Sequence, residues 1–142
     1  MKVIDLNLLI YAINQDAPDH QKAKPWWENC LSGTETIGIP WVVVLGFLRI
    51  TTHPKIMPKP LFPEEAVELI DDWFMQAPVQ IVGPTDRHWK ILKDILADFG
   101  TAANLTTDAH IAAIAIERGG VLHSSDNDFS RITGLKWINP LA

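Results

Sequence analysis

The chain has 142 residues, the size of one compact domain, and its 47% hydrophobic and 20% charged residues suit a buried core and exclude disordered, collagen-like and fibrous classes. Its 12 Lys and Arg stand against 17 Asp and Glu, and the net charge of -5 excludes a protein that coats nucleic acid by bulk charge while leaving room for a local basic patch. A lone cysteine, Cys30, can close no intrachain disulfide and build no Cys-rich zinc site, which favours a reducing compartment.

Met1-Lys2-Val3-Ile4-Asp5 puts a carboxylate where a secretory leader needs an apolar run, and the longest apolar stretch, Val42 to Leu48, is too short to cross a bilayer. A soluble, cytoplasmic protein without a membrane partner is expected. The run from Lys2 to Asp5 predicts a short strand, and Asn7 is expected to cap a helix through Leu8, Leu9, Tyr11 and Ala12. Pro18 and Asp19 open a second helical stretch carrying Trp26, Trp27 and Leu31 and ending near Gly33, with Pro25 expected to break or kink it. Thr36 to Ile39 predicts a strand, and Pro40 suits the first turn of a helix through Leu45, Leu48 and Ile50. His53 to Pro63 holds four prolines and predicts an irregular connection. An amphipathic helix from Pro63 through Phe74, a strand at Val79 to Val82 and a helix at Asp86 to Phe99 follow. Thr106 or Thr107 is expected to cap a helix that Gly119 ends, before strands at Val121 to Ser124 and Lys136 to Ile138. Alternating strands and helices predict one α/β domain over residues 1–142, with a mainly parallel central sheet covered on both faces.

In such sheets ligands bind outside the carboxyl ends of the strands. Asp5 ends the first predicted strand, Asp126 and Asp128 follow the strand from Val121, and Asp108 sits in the first turn of the preceding helix. Carboxylates gathered at one edge repel one another, and a bound hard cation relieves the repulsion. An all-oxygen donor set favours Mg²⁺ or Mn²⁺ over zinc. Each acid also has a local reading: Asp5 as a turn cap, Asp108 as a complement to the helix dipole, Asp126 and Asp128 as turn residues.

Three segments resemble the PIN-domain ribonucleases, and within them the VapC-type toxins of bacterial toxin-antitoxin pairs: Val3-Ile4-Asp5-Leu6-Asn7, Ala103-Asn104-Leu105-Thr106-Thr107-Asp108-Ala109-His110-Ile111-Ala112-Ala113, and Ser124-Ser125-Asp126-Asn127-Asp128-Phe129. The stretch from Pro40 to Pro54 is similar too, so the likeness spans essentially the whole chain. The resemblance implies a three-layer α/β/α fold and a metal-dependent endoribonuclease acting on structured RNA, such as transfer or ribosomal RNA, with 5′-phosphate and 3′-hydroxyl products. It also implies catalytic roles for Asp5, Asp108 and Asp126, which with Asp128 would bind Mg²⁺ or Mn²⁺, while Asn7 and Ser124 orient the carboxylates. A cognate antitoxin and a homodimer are the implied protein partners.

The chain departs from the family pattern at Gly46. Arg49 aligns with the family's Arg, and an acidic residue is expected three positions earlier, where there is no side chain. A helix-interior glycine is also unfavourable by about 1 kcal/mol relative to Ala. Mg²⁺ tolerates few carboxylates because it keeps several waters, so weakened metal affinity is expected, and Gly46→Glu should tighten Mn²⁺ binding and raise cleavage. A catalytically silent PIN-like domain that binds RNA or a protein is the alternative. A signalling receiver fits less well, because Asp5 stands alone at its strand, and a phosphatase with an aspartyl nucleophile would want an acid where Asn7 stands. Arg49, with His53, Lys55 and Lys59, is expected to meet RNA phosphates. No histidine is assigned to metal, His110 is expected to pack or cap locally, and the tryptophans are assigned to core and interface packing in preference to base stacking.

Overall fold

The computed structural model describes residues 1–99 and 105–142. Ala103 and Asn104 of the family-like segment therefore lie outside the described residues. Five strands, β1 (Lys2–Ile4), β2 (Ile37–Pro40), β3 (Val79–Val82), β4 (Val121–His123) and β5 (Trp137–Ile138), form one sheet in the order β3-β2-β1-β4-β5. Every pairing is parallel, with Val3 opposite Gly38 on one side and Leu122 on the other. The helices are α1 (Leu6–Ile13), α2 (His20–Ser32), α3 (Trp41–Thr51), α4 (Pro63–Phe74), α5 (His88–Phe99) and α6 (Thr106–Glu117), and a 3-10 helix spans Asn127–Arg131. The arrangement is a three-layer α/β/α fold. Among the described residues no helix is long and apolar enough to cross a membrane.

The central strands carry no polar face. Val3, Ile4, Ile37, Ile39 and Leu122 are all buried, as expected for parallel strands covered by helices on both sides. Helix α6 is buried nearly all round, through Ala109, Ile111, Ala112, Ala113, Ile114 and Ala115. It stops in a Schellman turn: Gly119, at φ +64°, and Gly120 send their N–H groups back to the carbonyls of Ile116 and Ala115. Trp73 sits edge-on to both Trp27 and Phe47, with ring centroids 5.6 and 4.8 Å apart, and joins α2, α3 and α4 in one aromatic cluster.

Several local expectations are corrected. Asp5, not Asn7, caps α1, because its carboxylate accepts the Leu6 N–H directly and the helix starts two residues earlier. Leu105 occupies the cap position of α6, and Thr106 and Thr107 lie inside the helix. Pro40 is the cap of α3 and the last residue of β2. Helix α2 is not broken at Pro25 and continues to Ser32, held to the core by Ala23, Trp27 and Cys30 on its buried face. Core packing accounts for Trp27 and Trp73, whereas Trp41 is 55% exposed and Trp89 67% exposed, each at the start of a helix on its solvent side, which leaves interface packing as the expectation for these two.

Candidate active site

The chain lays down β2 and β3 on one side of β1 and β4 and β5 on the other, so the direction of winding reverses between β1 and β4. A crevice opens at the carboxyl ends of two such neighbours. Asp5 leaves β1 there and Ser124 leaves β4 beside it. Helix α6 runs back toward the start of β4, which puts its first turn, and Asp108, at the same edge.

Asp5 is buried, and both its oxygens are engaged: Oδ1 accepts from the Leu6 N–H at 2.7 Å and Oδ2 from the Ser124 hydroxyl at 2.7 Å. The same hydroxyl accepts from Asn7 Nδ2 at 3.2 Å and from the Asp126 N–H at 3.0 Å. Ser124 thereby uses its one donor and both lone pairs, tying the loops after β1 and β4 through a single oxygen. Trp137 holds this corner from β5, donating its indole N–H to the Ser124 carbonyl at 3.0 Å. Asp126 caps the 3-10 helix, accepting the Asp128 N–H on Oδ1 at 2.9 Å, so the turn role expected of it is present alongside its place in the crevice.

The charges act on one another. Burial raises the Asp5 carboxyl above the ordinary carboxylate range, with a further push from Asp126, against the lowering effect of its two hydrogen bonds. Asp108 is pushed up to about 6, first by burial and then by the negative charges of Asp5, Asp126 and Asp128. The crevice is a cleft of about 360 Å³ whose polar end is lined by Asp5, Asn7, Asp108 and Asp126, with Thr107 beside them. Asp128 is exposed outside that lining and reaches the cleft through its charge.

The fit to a metal ion can be judged from the donors. Among the described residues, no three His, Cys, Asp or Glu side chains are grouped closely enough to enclose an ion. Yet Asn7 Oδ1, at the polar end of the cleft, is buried with no hydrogen-bond partner, an unusual and unfavourable state for an amide oxygen. An orphaned carbonyl oxygen beside mutually repelling carboxylates fits a hard cation that keeps part of its water shell, and does not fit a closed soft-ligand cage.

Position 46 is buried in α3, and a Cβ there would stand 2.6 Å from Leu6 Cδ2. The gap left by the missing acid is therefore occupied by an aliphatic side chain from α1. Arg49 is exposed in the last turn of α3, next to cleft-lining Ile50, and it, Lys55 and Lys59 form no ion pair among the described residues.

A second polar cluster escaped the sequence reading. His110 shares a hydrogen bond with His88 at 2.8 Å, and His88 Nδ1 lies 2.9 Å from the buried carboxylate of Glu117, which also accepts the Thr85 N–H. Burial, and then the charge of His88, lower the His110 pKa. Residues 108 and 110 project about 200° apart around α6, so this network fastens α5 on the side away from the acids. Only the cluster's internal spacing could have revealed it, and 29 residues separate His88 from Glu117.

The family model for the PIN domain matches residues 2–135. Ribonuclease VapC37 of Mycobacterium tuberculosis is 39% identical over 142 residues, covering 100% of this chain and 99% of the relative. Ribonuclease VapC33 of the same species is 38% identical over 141 residues, covering 99% of each chain. Among solved structures, VapBC2 from Rickettsia felis bound to a promoter DNA fragment superposes with a TM-score of 0.71 at 19% identity, over 97% of each chain. DNA-bound VapBC from Salmonella typhimurium gives 0.67 at 20% identity, over 98% of this chain and 97% of the other. On the sequence match along almost its full length and on its fold, the chain belongs to the PIN-domain family, in its VapC branch.

Proposed function

We propose that the protein is a divalent-metal-dependent endoribonuclease of the toxin-antitoxin kind, hydrolysing RNA phosphodiester bonds at the cleft formed by Asp5, Asp108 and Asp126. The observation that carries the reading is the convergence of these acids, Asp5 from a segment more than 100 residues before the other two, with the unpartnered oxygen of Asn7 at the edge where the sheet winding reverses. The ribonuclease names of the full-length relatives support it.

Asp5, Asp108 and Asp126, with Asn7 Oδ1, would hold Mg²⁺ or Mn²⁺, and Asp128 would add negative charge from outside. Such an ion, when bound, neutralises phosphate oxygens and acidifies a water molecule. Both oxygens of Asp5 already serve hydrogen bonds, so Asp5 anchors the site, and Asp126, with one oxygen uncommitted, is better placed to hold the attacking water and take its proton. The water oxygen bonds to phosphorus, the bond to the 3′ oxygen breaks, that oxygen takes a proton from solvent water, and the products are a 5′-phosphate and a 3′-hydroxyl. Ser124 positions Asp5, Asn7 and Asp126 together. Arg49 is placed to meet a phosphate along the RNA.

In the same reading an antitoxin masks the cleft and a second copy of the chain completes a homodimer, which VapBC assemblies among the structural neighbours support. Trp41 and Leu45, one turn apart and exposed on α3, offer apolar surface for such partners. Gly46 favours a second reading, a silent PIN-like domain. Incubating total RNA with the protein in Mn²⁺ and in chelator separates the two. Fragments that require Mn²⁺ and vanish with Asp5→Asn support the nuclease; their absence at high protein concentration supports the silent domain.

A further inference from the structure

The cleft has two unlike kinds of lining. Besides the acids, it carries a wall of uncharged side chains: Leu6, Ile10 and Tyr11 from α1 and Val42, Val43 and Ile50 from α3. The spacing explains this wall. On α3, Val43, Gly46 and Ile50 fall at i, i+3 and i+7, a single stripe whose middle position has no side chain. Leu6 fills that notch, so where a carboxylate from α3 would enter the cleft there is aliphatic surface. Tyr11 is partly buried, and its hydroxyl has no hydrogen-bond partner among the described residues, which leaves the ring and its polar tip available to a ligand.

We infer that this wall is a nucleobase subsite. With a phosphate at the acids, an unpaired base of an adjoining nucleotide lies against Leu6 and the partly exposed Val42 and Ile50 and packs on the Tyr11 ring. The wall is continuous with the acid end of the same cleft, so one nucleotide spans both. A volume of about 360 Å³ is at the lower end for small-ligand sites, which suits a single nucleotide and not a helical segment. A paired base is not free to enter, so the substrate is single-stranded or looped RNA. The absence of an acid at position 46 thus changes what the cleft recognises as well as how firmly it holds an ion. The inference rests on the nuclease reading above and adds the base to it.

The test titrates the full chain, in Mn²⁺, with the nucleoside 5′-monophosphates and with ribose 5-phosphate. At least one monophosphate should bind about tenfold more tightly than the sugar phosphate, the scale of one base stacked on an aromatic ring. Tyr11→Ala should erase that advantage, Tyr11→Phe should retain most of it, and binding of ribose 5-phosphate should be the same in all three proteins. Saturation-transfer NMR on the unmodified chain needs no variant: the base protons should receive more saturation than the ribose protons. Equal Mn²⁺-dependent affinity for the monophosphates and ribose 5-phosphate, or saturation confined to the ribose, overturns the subsite, leaves the nuclease reading intact and turns the wall into a protein-docking surface. Failure of both probes to bind in Mn²⁺ overturns the subsite, and the cleavage of total RNA in Mn²⁺ then decides the nuclease reading separately.

Discussion

Asp108→Asn should stabilise the metal-free protein above neutral pH while removing its activity. In the folded chain this carboxyl is pushed from 3.8 to about 6, so between those values the folded state binds more protons than the unfolded state. Its contribution to stability is fully present below about pH 3.8, falls as pH rises, and is lost above about 6. Each tenfold change in acidity corresponds to about 1.4 kcal/mol, and water around a half-buried carboxyl screens part of that, leaving a penalty of about 1–2 kcal/mol at pH 8. Asparagine keeps the shape and drops the charge. Urea unfolding followed by tryptophan fluorescence in chelator should show the variant about 1–2 kcal/mol more stable at pH 8, with the difference shrinking toward pH 4. Adding Mn²⁺ should stabilise the wild type and hardly the variant, because only a folded state that binds the ion gains from it. Equal stability at pH 8, or a difference that does not change with pH, would contradict an Asp108 carboxyl held above its ordinary range by burial and by the neighbouring acids.

Ser124→Ala removes the oxygen that joins Asp5, Asn7 and Asp126. It should destabilise the fold by about 2 kcal/mol and lower cleavage by about 10- to 100-fold, and because the hydroxyl lowers the Asp5 pKa, the acid limb of the activity profile should move to higher pH. Gly46→Glu introduced into a Leu6→Ala background should bind Mn²⁺ severalfold more tightly than Leu6→Ala alone by calorimetry, since the notch is then free for a carboxylate; unchanged affinity would mean that position 46 does not face the ion. Arg49→Ala should weaken RNA binding and flatten the dependence of log affinity on log salt by about 0.7, the signature of one lost phosphate contact to single-stranded RNA.

The layered α/β architecture was legible because each strand is a short apolar run followed by a helix-period pattern, and the meeting of Asp5, Asp108 and Asp126 follows from where strands end and helices begin. Local competition blurred the caps: Asp5, Asn7, Thr106 and Thr107 all have cap chemistry, and the choice among them depends on which backbone N–H groups the fold leaves unpaired. Propensity alone makes Pro25 a place for α2 to break or kink, because it ignores the burial of Trp27 and Cys30 that holds α2 together. Trp41 and Trp89 show the same limit in reverse, since residue type gives a tendency to bury and not a direction. Leu6 against Gly46, and Glu117 with His88 and His110, are contacts between distant helices, and no spacing rule in a single chain announces them.

Crystals soaked in Mn²⁺ and measured at the manganese absorption edge test, without assuming any substrate, whether Asp5, Asp108 and Asp126 hold one divalent cation. An anomalous peak is expected within ligand distance of those carboxylates and of Asn7 Oδ1, lost in crystals of Asp5→Asn. A peak elsewhere, or a cleft with none at saturating Mn²⁺, would contradict it.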